Sequence, residues 1–311
     1  MNAYQCRWLL LLVTGLFSLS GATCPQYVRQ FGATQPRILP PSPTLQQVIE
    51  VVNRNNSQIQ SFSTNRASLS GSGFPSLRAD IAFQRPNRFR LRAETGITGA
   101  ELDLGSNEEL FWFWMRRNQP PGVYFCRHAE FANCQAKQMM PFEPTWLIEA
   151  MGVADFNPAL PHQGPYPLPN DRLQIRTVRE TPEGPAMKVT VIDGSQGYIL
   201  EQHLYDARRR LLASSIASQH RRDPLTNLVM PSVVQIHCPA AQLNLRVDLG
   251  NVQINRLSGD PAALWSLPNY PGAPLVNLAD PNLPMSPGGG APLARTSRRT
   301  VPPADWRRPG R

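Results

Sequence analysis

The chain has 311 residues, of which 41 % are hydrophobic, so it can bury one sizeable core or two small ones. Its formal net charge at pH 7 is +9 and comes almost entirely from arginine, since Lys137 and Lys188 are the only lysines. The arginines are scattered along the chain or collected in its C-terminal tail, without a basic stripe that interleaves aromatic residues. This distribution argues against nucleic acid as a partner and is compatible with an anionic membrane.

The first 24 residues have the three-part layout of a secretory signal: Arg7, a short apolar run, and small residues that lead to Cys24. The apolar run is shorter than the roughly 20 residues that span a bilayer, so we expect cleavage rather than a retained anchor. Two cleavage sites compete. Residues 19–24 resemble a bacterial lipobox, apart from Thr23, and would make Cys24 a lipidated N-terminus. An A-x-A-like site at residues 20–22 would instead release a soluble product. We favour the lipidated form.

Four cysteines remain after removal of a signal, in a compartment that is expected to be oxidising. Cys126 and Cys134 are close in sequence and are a possible disulfide across a hairpin loop. Cys238 is then a buried thiol, or it pairs with Cys24 if that residue is not lipidated. Buried unpaired cysteines are the third alternative, and the spacing does not decide among the three. Because no CxxC pair and no HxxxH spacing occurs, we expect no metal site and no cofactor.

The first predicted element is a helix, for which Ser42 is suited as the N-cap and Pro43 as the first helical residue. Its apolar positions recur at helical spacing; they are Leu45, Val48, Ile49 and Val52. Two strands with period-two patterning follow, over 79–83 and 88–93, and a proline-containing turn joins them. Each strand has one apolar and one polar face, so its arginines are expected in water.

Residues 110–115 are apolar on both faces, which means that each side of the sheet must be covered there. Their predicted partner is a strand at 123–125. A second short helix is expected at 144–151, and a proline-rich loop at 157–169. The remaining strands are predicted over 173–178, 187–192, 198–204, 211–218, 232–237 and 243–249. The apolar phase slips by one residue past Gly250, which predicts a bulge.

These elements predict an α+β fold: one strongly curved antiparallel half-barrel sheet with helices on its concave face, around an apolar interior. We divide the chain into a signal peptide (1–23), a linker after lipidated Cys24 (24–43), one folded domain (44–280) and a disordered tail (281–311). The tail is rich in Pro, Gly, Ser and Arg and cannot bury enough apolar surface to order itself.

The order of several segments resembles the LolA/LolB-like superfamily of periplasmic lipoprotein carriers and receptors. The first is the hairpin Phe83-Gln-Arg-Pro-Asn-Arg-Phe-Arg-Leu91, which matches that family's strand, Arg-Pro turn and Phe-Arg strand. An aromatic-Trp strand at 110–112 follows, then the helix that Pro144 begins. The closing strand ends in Val252-Gln-Ile-Asn255. The resemblance covers roughly residues 44–278 and rests on the order of weak motifs.

The resemblance implies a hydrophobic cavity between sheet and helices that holds acyl chains, with the helices as a lid. The candidate ligand-binding residues are Phe83, Phe89, Leu91, Leu110, Trp112, Trp114, Trp146 and Met151. The alternative is that they are ordinary core residues, which is expected for about half of them. Trp112 and Trp114 share one face of their strand, and the sequence does not say which face meets the cavity. Arg85 either hydrogen-bonds the lid, as an arginine does in the carrier family, or lies in water.

No catalytic constellation is present. The five histidines are isolated, no G-x-S-x-G occurs, and acids such as Asp103 are expected on solvated strand faces. The hypothesis is therefore not an enzyme but a cell-envelope lipoprotein, attached through its N-terminal lipid at the periplasmic face of a membrane. It would bind acyl chains of a lipid or lipoprotein as a carrier or receptor. The alternative is a membrane-anchored interaction module with a filled core, whose basic tail contacts anionic envelope components or an envelope protein.

Overall fold

The computed structural model describes residues 36–71, 74–134, 145–181, 184–280 and 283. The predicted signal peptide, Cys24, most of the linker, Pro144 and the C-terminal tail lie outside the described residues. From Arg37 onward the described residues belong to one compact unit.

A single large antiparallel sheet forms the body of this unit. Its strands, with the two strands of a separate small hairpin (β12 and β13), are β1 (Ser61–Gly71), β2 (Phe74–Gln84), β3 (Arg88–Thr95), β4 (Gly99–Ser106), β5 (Leu110–Met115), β6 (Val123–Arg127), β7 (His162–Leu168), β8 (Arg172–Thr181), β9 (Gly184–Asp193), β10 (Ile199–Tyr205), β11 (Leu211–Ser218), β12 (Arg221–Arg222), β13 (Val229–Met230), β14 (Val233–Cys238), β15 (Leu243–Asp248), β16 (Gln253–Ile254) and β17 (Leu275–Asn277).

The strand order is β17-β6-β5-β4-β3-β2-β1-β15-β14-β11-β10-β9-β8-β7, and β16 also pairs with β1. Neighbours are antiparallel except β17 and β6, which are parallel. Within the described residues the outermost strands β7 and β17 do not pair with each other, so the sheet is open and no closed barrel forms. The predicted antiparallel sheet with few helices is therefore confirmed.

Strand β7 occupies part of the predicted proline-rich loop at 157–169, and that prediction was wrong. β7 pairs only with β8 and lies at the edge of the sheet. An edge strand tolerates proline because one side of its backbone has no partner to serve. The prolines at 165 and 167 therefore mark an edge strand rather than a loop.

The predicted phase slip at Gly250 is confirmed as a break between β15 and β16, which pair with different parts of β1. Gly250 has φ +60, and a Cβ there would lie 2.5 Å from the Arg66 carbonyl oxygen. Only glycine fits this close approach of two backbones at a positive φ.

The first helix, α1 (Leu45–Asn56), begins two residues later than predicted. Its N-cap is Thr44, whose hydroxyl accepts from the Gln47 backbone N–H while the Gln47 side chain accepts from the Thr44 N–H. This reciprocal capping box satisfies two donors that the predicted cap, Ser42, would leave open. α1 packs with strands β8 to β10 around Ile175, Ile192 and Ile199.

The predicted second helix is short: α2 (Thr145–Ile148) runs directly into a π-helical turn (Glu149–Val153). We call residues 145–153 the α2 segment. Two further helical pieces were not predicted, a 3₁₀ helix (His128–Asn133) and α3 (Pro261–Leu264), which Asp260 caps.

One face of the sheet carries the main core, and we call it the inner face. It includes Phe83, Phe89 and Leu91, which pack in one cluster with Trp146 and Met151 of the α2 segment. The opposite, outer face carries Trp112 and Trp114, which are covered by residues of the chain between α3 and β17.

Gly105 provides a test of how tightly the outer face is packed. A Cβ on Gly105 would lie 2.1 Å from the Trp112 ring, whereas a Cβ on Gly96 would meet nothing within 4 Å. We expect Gly105→Ala to lower the free energy of unfolding by about 1–3 kcal/mol through overpacking. Gly96→Ala is the control, with a change below about 0.5 kcal/mol. Urea unfolding measures both, and equal stability of the two variants would contradict the close packing.

Candidate functional site

The inner face has a half-exposed apolar surface at one end, where the hairpins β3–β4 and β14–β15 turn. Its side chains pack against the main core and are only partly buried, and we call them the apolar rim. They are Phe74, Leu102, Leu147, Leu204, Leu243 and Leu245. Apolar groups left at a core surface are a source of binding energy for an apolar ligand.

Strand register places the rim residues on the inner face. Leu102 is paired with Ala93, and Leu243 with Cys238, and both partners belong to the main core cluster. Leu147 comes from the α2 segment, between the buried Trp146 and Ile148. The rim is therefore built jointly by the sheet and by the segment that covers it.

Five of the eight predicted ligand-binding residues come together in the structure. Phe83, Phe89, Leu91, Trp146 and Met151 belong to the main core cluster, and none is more than 4 % exposed. They pack against one another beside the apolar rim. Their burial in the core is what the alternative, ordinary core packing, expects, and their assignment as ligand-binding residues stays a prediction.

The other three predicted residues, Leu110, Trp112 and Trp114, lie on the outer face. The alternation in 110–115 showed two apolar faces but not which one was which. Two contacts show which face carries Trp112. The Trp112 ring lies over Gly105, which has no side chain, and the Arg90 guanidinium lies 5.2 Å from the centre of that ring. These three residues therefore do not join the inner-face cluster.

Arg90 and Asp103 are buried, and the expectation that they are solvated was wrong. Arg90 donates to Asp103 at 2.6 Å, and the Tyr270 hydroxyl donates to the same carboxylate oxygen at 2.8 Å. Arg90 also donates to the carbonyls of Leu264 and Ser266. The charges are tolerated inside because they are paired and hydrogen-bonded. Burial, with the Asp103 carboxylate beside it, raises the pKa of Tyr270 to about 12.

Arg85 joins three parts of the inner-face assembly, rather than lying free in water. It donates to the carbonyl of Ile59 at 2.9 Å and to that of Asn56, at the end of α1, at 2.9 Å. Its Nη2 lies 2.8 Å from Oδ2 of Asp155, just after the α2 segment. Arg85 is therefore not free in water, but its carboxylate partner lies two residues beyond the α2 segment, so these contacts do not include the predicted hydrogen bond to the lid itself.

A second ion pair holds the α2 segment from the other side. Lys188 of β9 donates to Glu149, and the Gln202 side chain of β10 donates to the Glu149 carbonyl at 2.9 Å. Oγ1 of Thr190 and Oε1 of Gln202 are buried there without a hydrogen-bond partner among the described residues. The α2 segment thus packs against polar side chains of β9 and β10 as well as against the apolar core.

Gly152 is the penultimate residue of the π-helical turn and has φ +98, a conformation that residues with a Cβ rarely adopt. A Cβ at this position would lie 2.5 Å from the Pro231 ring. The α2 segment therefore leaves the sheet at a position that only glycine satisfies.

Cys126 and Cys134 are thiols in the structure and interact side chain to side chain. Burial, with the Cys134 thiol beside it, raises the pKa of the Cys126 thiol well above its usual range. The two sulfurs are thus neighbours, as a disulfide would need. Cys238 is a buried thiol of the main core, and burial raises its pKa to about 11.

No protein-family model matches the chain, and no curated protein matches it in sequence. Among solved structures, the chain is similar to proteins of the LolA superfamily. A LolA superfamily protein from Nitrosomonas europaea has 11 % identity and a TM-score of 0.45, with 72 % of this chain and 98 % of that one covered.

Two other solved structures are similar to the same extent. A putative outer membrane lipoprotein-sorting protein domain from Vibrio parahaemolyticus has 8 % identity and a TM-score of 0.45 over 70 % of this chain and 95 % of its own. A DUF1329 family protein from Desulfovibrio piger has 11 % identity and a TM-score of 0.44 over 70 % and 98 %. One fold serves many functions, so the function has to be argued from the site. Among the described residues, no helix is both long enough and apolar enough to cross a membrane.

Asp155 gives the inner-face assembly a pH dependence that can be measured. Burial raises the pKa of Asp155 above its ordinary value, against the opposing effect of Arg85, and one carboxylate oxygen is buried without a partner among the described residues. A raised carboxyl pKa contributes stability below the unfolded-state pKa, and this contribution is lost as pH rises through the folded-state value. We therefore expect the stability of Asp155→Asn, relative to wild type, to increase between pH 4 and pH 7.

Urea unfolding of both proteins across that range measures the difference. Asp206→Asn is the control, because hydrogen bonds with Arg210 lower the pKa of Asp206 and the relative change should have the opposite sign. The assignment is contradicted if the stability of Asp155→Asn relative to wild type stays constant with pH, or if it decreases as pH rises.

Proposed function

We propose that this protein binds the acyl chains of a lipid or lipoprotein in the cell envelope, between the inner face of its sheet and the α2 segment. The observation that carries the proposal is the apolar rim, where leucines of β4, β10, β15 and the α2 segment are only partly buried around a common core. Burying an acyl chain against such a surface is favourable by about 0.8 kcal/mol for each methylene group.

The α2 segment has the properties of a lid. It is short, its Glu149 forms an ion pair with Lys188 that water can replace, and its penultimate residue is the positive-φ Gly152. When it lifts, Trp146 and Met151 leave the core, and Phe83, Phe89 and Leu91 are exposed to an incoming chain. When it closes, these residues pack against one another as they do in the structure. Such gating admits the ligand and excludes water without covalent chemistry.

We further propose the curved half-barrel arrangement, with the α2 segment on the concave side, as the shape in which the chain is enclosed. A sheet of this kind leaves an interior that its own side chains do not fill. The proposed location is the periplasmic face of a membrane, with a signal peptide at residues 1–23 and lipidated Cys24 as the anchor. The role is that of a carrier or receptor rather than an enzyme.

Lipid extraction and mass spectrometry of the protein, purified from an envelope fraction without detergent, test the proposal directly. Stoichiometric acyl species that co-purify would establish the site and begin to name its ligand. Lipid-free protein that also fails to take up a fluorescent fatty acid would reject acyl binding.

The apolar rim can be tested by substitution. We expect Leu102→Glu to weaken uptake of a fluorescent fatty acid at least tenfold, because a charge in the rim must lose water when the chain binds. Ile216→Glu is the matched control: Ile216 is 44 % exposed and lies on the outer face, so its substitution should leave uptake unchanged. Circular dichroism checks that both variants fold, and an equal loss of uptake in both would rule out the rim as the site.

The lid can be tested through its ion pair with β9. A partly exposed ion pair is worth about 0.2–1 kcal/mol, so Lys188→Met should release bound fatty acid about 1.4- to 5-fold faster. Arg172→Met is the control, because the ion pair of Arg172 with Glu201, at 3.0 Å, joins two strands and not the α2 segment. Stopped-flow displacement measures the rate, and unchanged release from Lys188→Met would contradict the lid.

The second candidate function is an anchored interaction module with a filled core. The close packing of Trp146 and Met151, which are 3 % and 1 % exposed, favours it. Truncation before residue 281 distinguishes the two. If the truncated protein loses its localisation or a partner but still binds acyl chains, the tail carries the interaction. If the full-length protein fails to bind acyl chains, the interaction module is the favoured function.

A further inference from the structure

A small pocket lies away from the apolar rim, at the opposite end of the strands, where the β9–β10 hairpin turns. Its volume is about 230 Å³. Three elements wall it: one face of α1, the β9–β10 turn, and the β12–β13 hairpin. On α1 the lining residues Val51, Arg54 and Asn55 recur at the spacing of a single helix face, and Gln58 follows the end of the helix.

The pocket is positively charged. Arg54 of α1 and Arg222 of β12 both line it, and its lining residues include no aspartate or glutamate. Arg222 donates to the Asn227 carbonyl at 2.7 Å, which fixes part of its guanidinium. The Arg54 guanidinium makes no hydrogen bond or ion pair within the part of the chain that the structure describes, so its donors are available to a ligand.

The walls of the pocket are held in place by hydrogen bonds. The Asn55 side chain donates to the Val229 carbonyl at 2.8 Å and accepts from the Val229 N–H at 2.9 Å, which fastens α1 to β13. Gly197 has φ +76, and a Cβ there would lie 2.6 Å from Val51, so the β9–β10 turn approaches the helix as closely as a chain can. The pocket is therefore preformed, which lowers the entropic cost of binding.

One wall is apolar and aromatic. The ring of His220 stacks on that of Tyr198 with 5.0 Å between ring centres, and Ile199 and Val51 lie beside them among the lining residues. His220 donates through Nε2 to the Ile199 carbonyl at 3.1 Å. Burial lowers its pKa, against the opposing effect of Asp193, so the ring is neutral at pH 7. A ligand thus meets cationic donors on one side and a flat apolar surface on the other.

We propose that this pocket binds a phosphate monoester with a small apolar substituent, whose phosphate is held by Arg54 and Arg222 and whose substituent lies against Tyr198 and Val51. A phosphate monoester carries a charge of about −1.5 to −2 at pH 7, which two guanidinium groups balance. Arginine donors match phosphate oxygens in pairs. The pocket volume of about 230 Å³ suits a ligand smaller than those of typical drug-sized pockets, of roughly 300–1,000 Å³.

The proposal is tested with phenyl phosphate and the full-length protein, by calorimetric titration and by the NMR signal of the His220 imidazole. We expect saturable binding at one site. The bound dianion should also raise the pKa of His220, because a nearby negative charge stabilises the imidazolium. Arg54→Gln should weaken binding about tenfold, the loss expected for a charge-assisted hydrogen bond. Arg222→Gln should act in the same direction.

Arg221→Gln is the matched control, since Arg221 is the exposed neighbour of Arg222 on β12 and does not line the pocket. It should change affinity by less than about twofold. Because Arg222 also contacts Asn227, thermal unfolding checks the fold of its variant, whereas Arg54 has no such contact and isolates the effect of the charge. The proposal fails if no saturable binding occurs, or if Arg221→Gln weakens binding as much as Arg54→Gln.

Two further probes distinguish the sources of the phosphate group. Monomeric dihexanoyl phosphatidic acid that binds more tightly than phenyl phosphate, with the same dependence on Arg54, indicates a lipid headgroup. If inorganic phosphate or phenyl phosphate binds as tightly as the phosphatidic acid does, the source of the phosphate group is a soluble phosphate. Failure of this site would leave the acyl-binding proposal intact, because no rim residue lines the pocket.

Discussion

The inner face of the sheet carries more apolar surface than its helices cover, and the rest of the structure follows from this imbalance. Fifteen strands contribute to the sheet, and within the described residues α1, the short α2 segment and, over β5 and β6, the 3₁₀ helix pack on its inner face. α1 takes the part formed by β8 to β10, and the α2 segment takes the centre. What remains is the apolar rim, and an uncovered apolar surface favours an apolar partner.

The apolar surface of the outer face is covered in a different way. Between β3 and β6 it is covered by the chain that follows α3, and the buried network of Arg90, Asp103 and Tyr270 fastens that cover. A buried ion pair adds little net stability, because desolvation offsets much of the attraction between the charges. Its geometry is specific, because the Arg90 guanidinium donates to the carbonyls of both Leu264 and Ser266. Polar contacts therefore hold the cover of the outer face, whereas the α2 segment is held on the inner face by apolar packing and by the ion pair of Glu149 with Lys188.

The sequence predicts the strands well because alternation of apolar and polar residues is a local property, and it fails where the outcome depends on distant partners. The sequence shows that residues 110–115 have two apolar faces. Which of these faces is the outer one depends on Gly105 and Arg90, which lie on other strands. Asp103 was expected in water because nothing near it in sequence shows that Tyr270, far along the chain, donates to it. The prolines of β7 predict a loop when the sequence is considered alone, since edge position is a property of the whole sheet. Of the candidate site, the core residues could be predicted from their apolarity, whereas the rim and the pocket that Arg54 and Arg222 line form only when α1, β12 and the α2 segment meet.

The α2 segment touches both proposed sites. Leu147 at its beginning belongs to the apolar rim, and Gly152 near its end lines the phosphate pocket. Directly after it, the Ala154 carbonyl accepts from the Asn56 side chain at 2.6 Å, which ties it to the end of α1. A movement that opens the rim therefore changes one wall of the pocket. Whenever two sites bias the same element, a ligand at either one changes the affinity of the other by an equal factor. A phosphate ester that requires the closed position of Gly152 would hold the lid shut, whereas one that tolerates the open position would leave acyl exchange unaffected. In the two proposals together, the α2 segment is an element that both sites share.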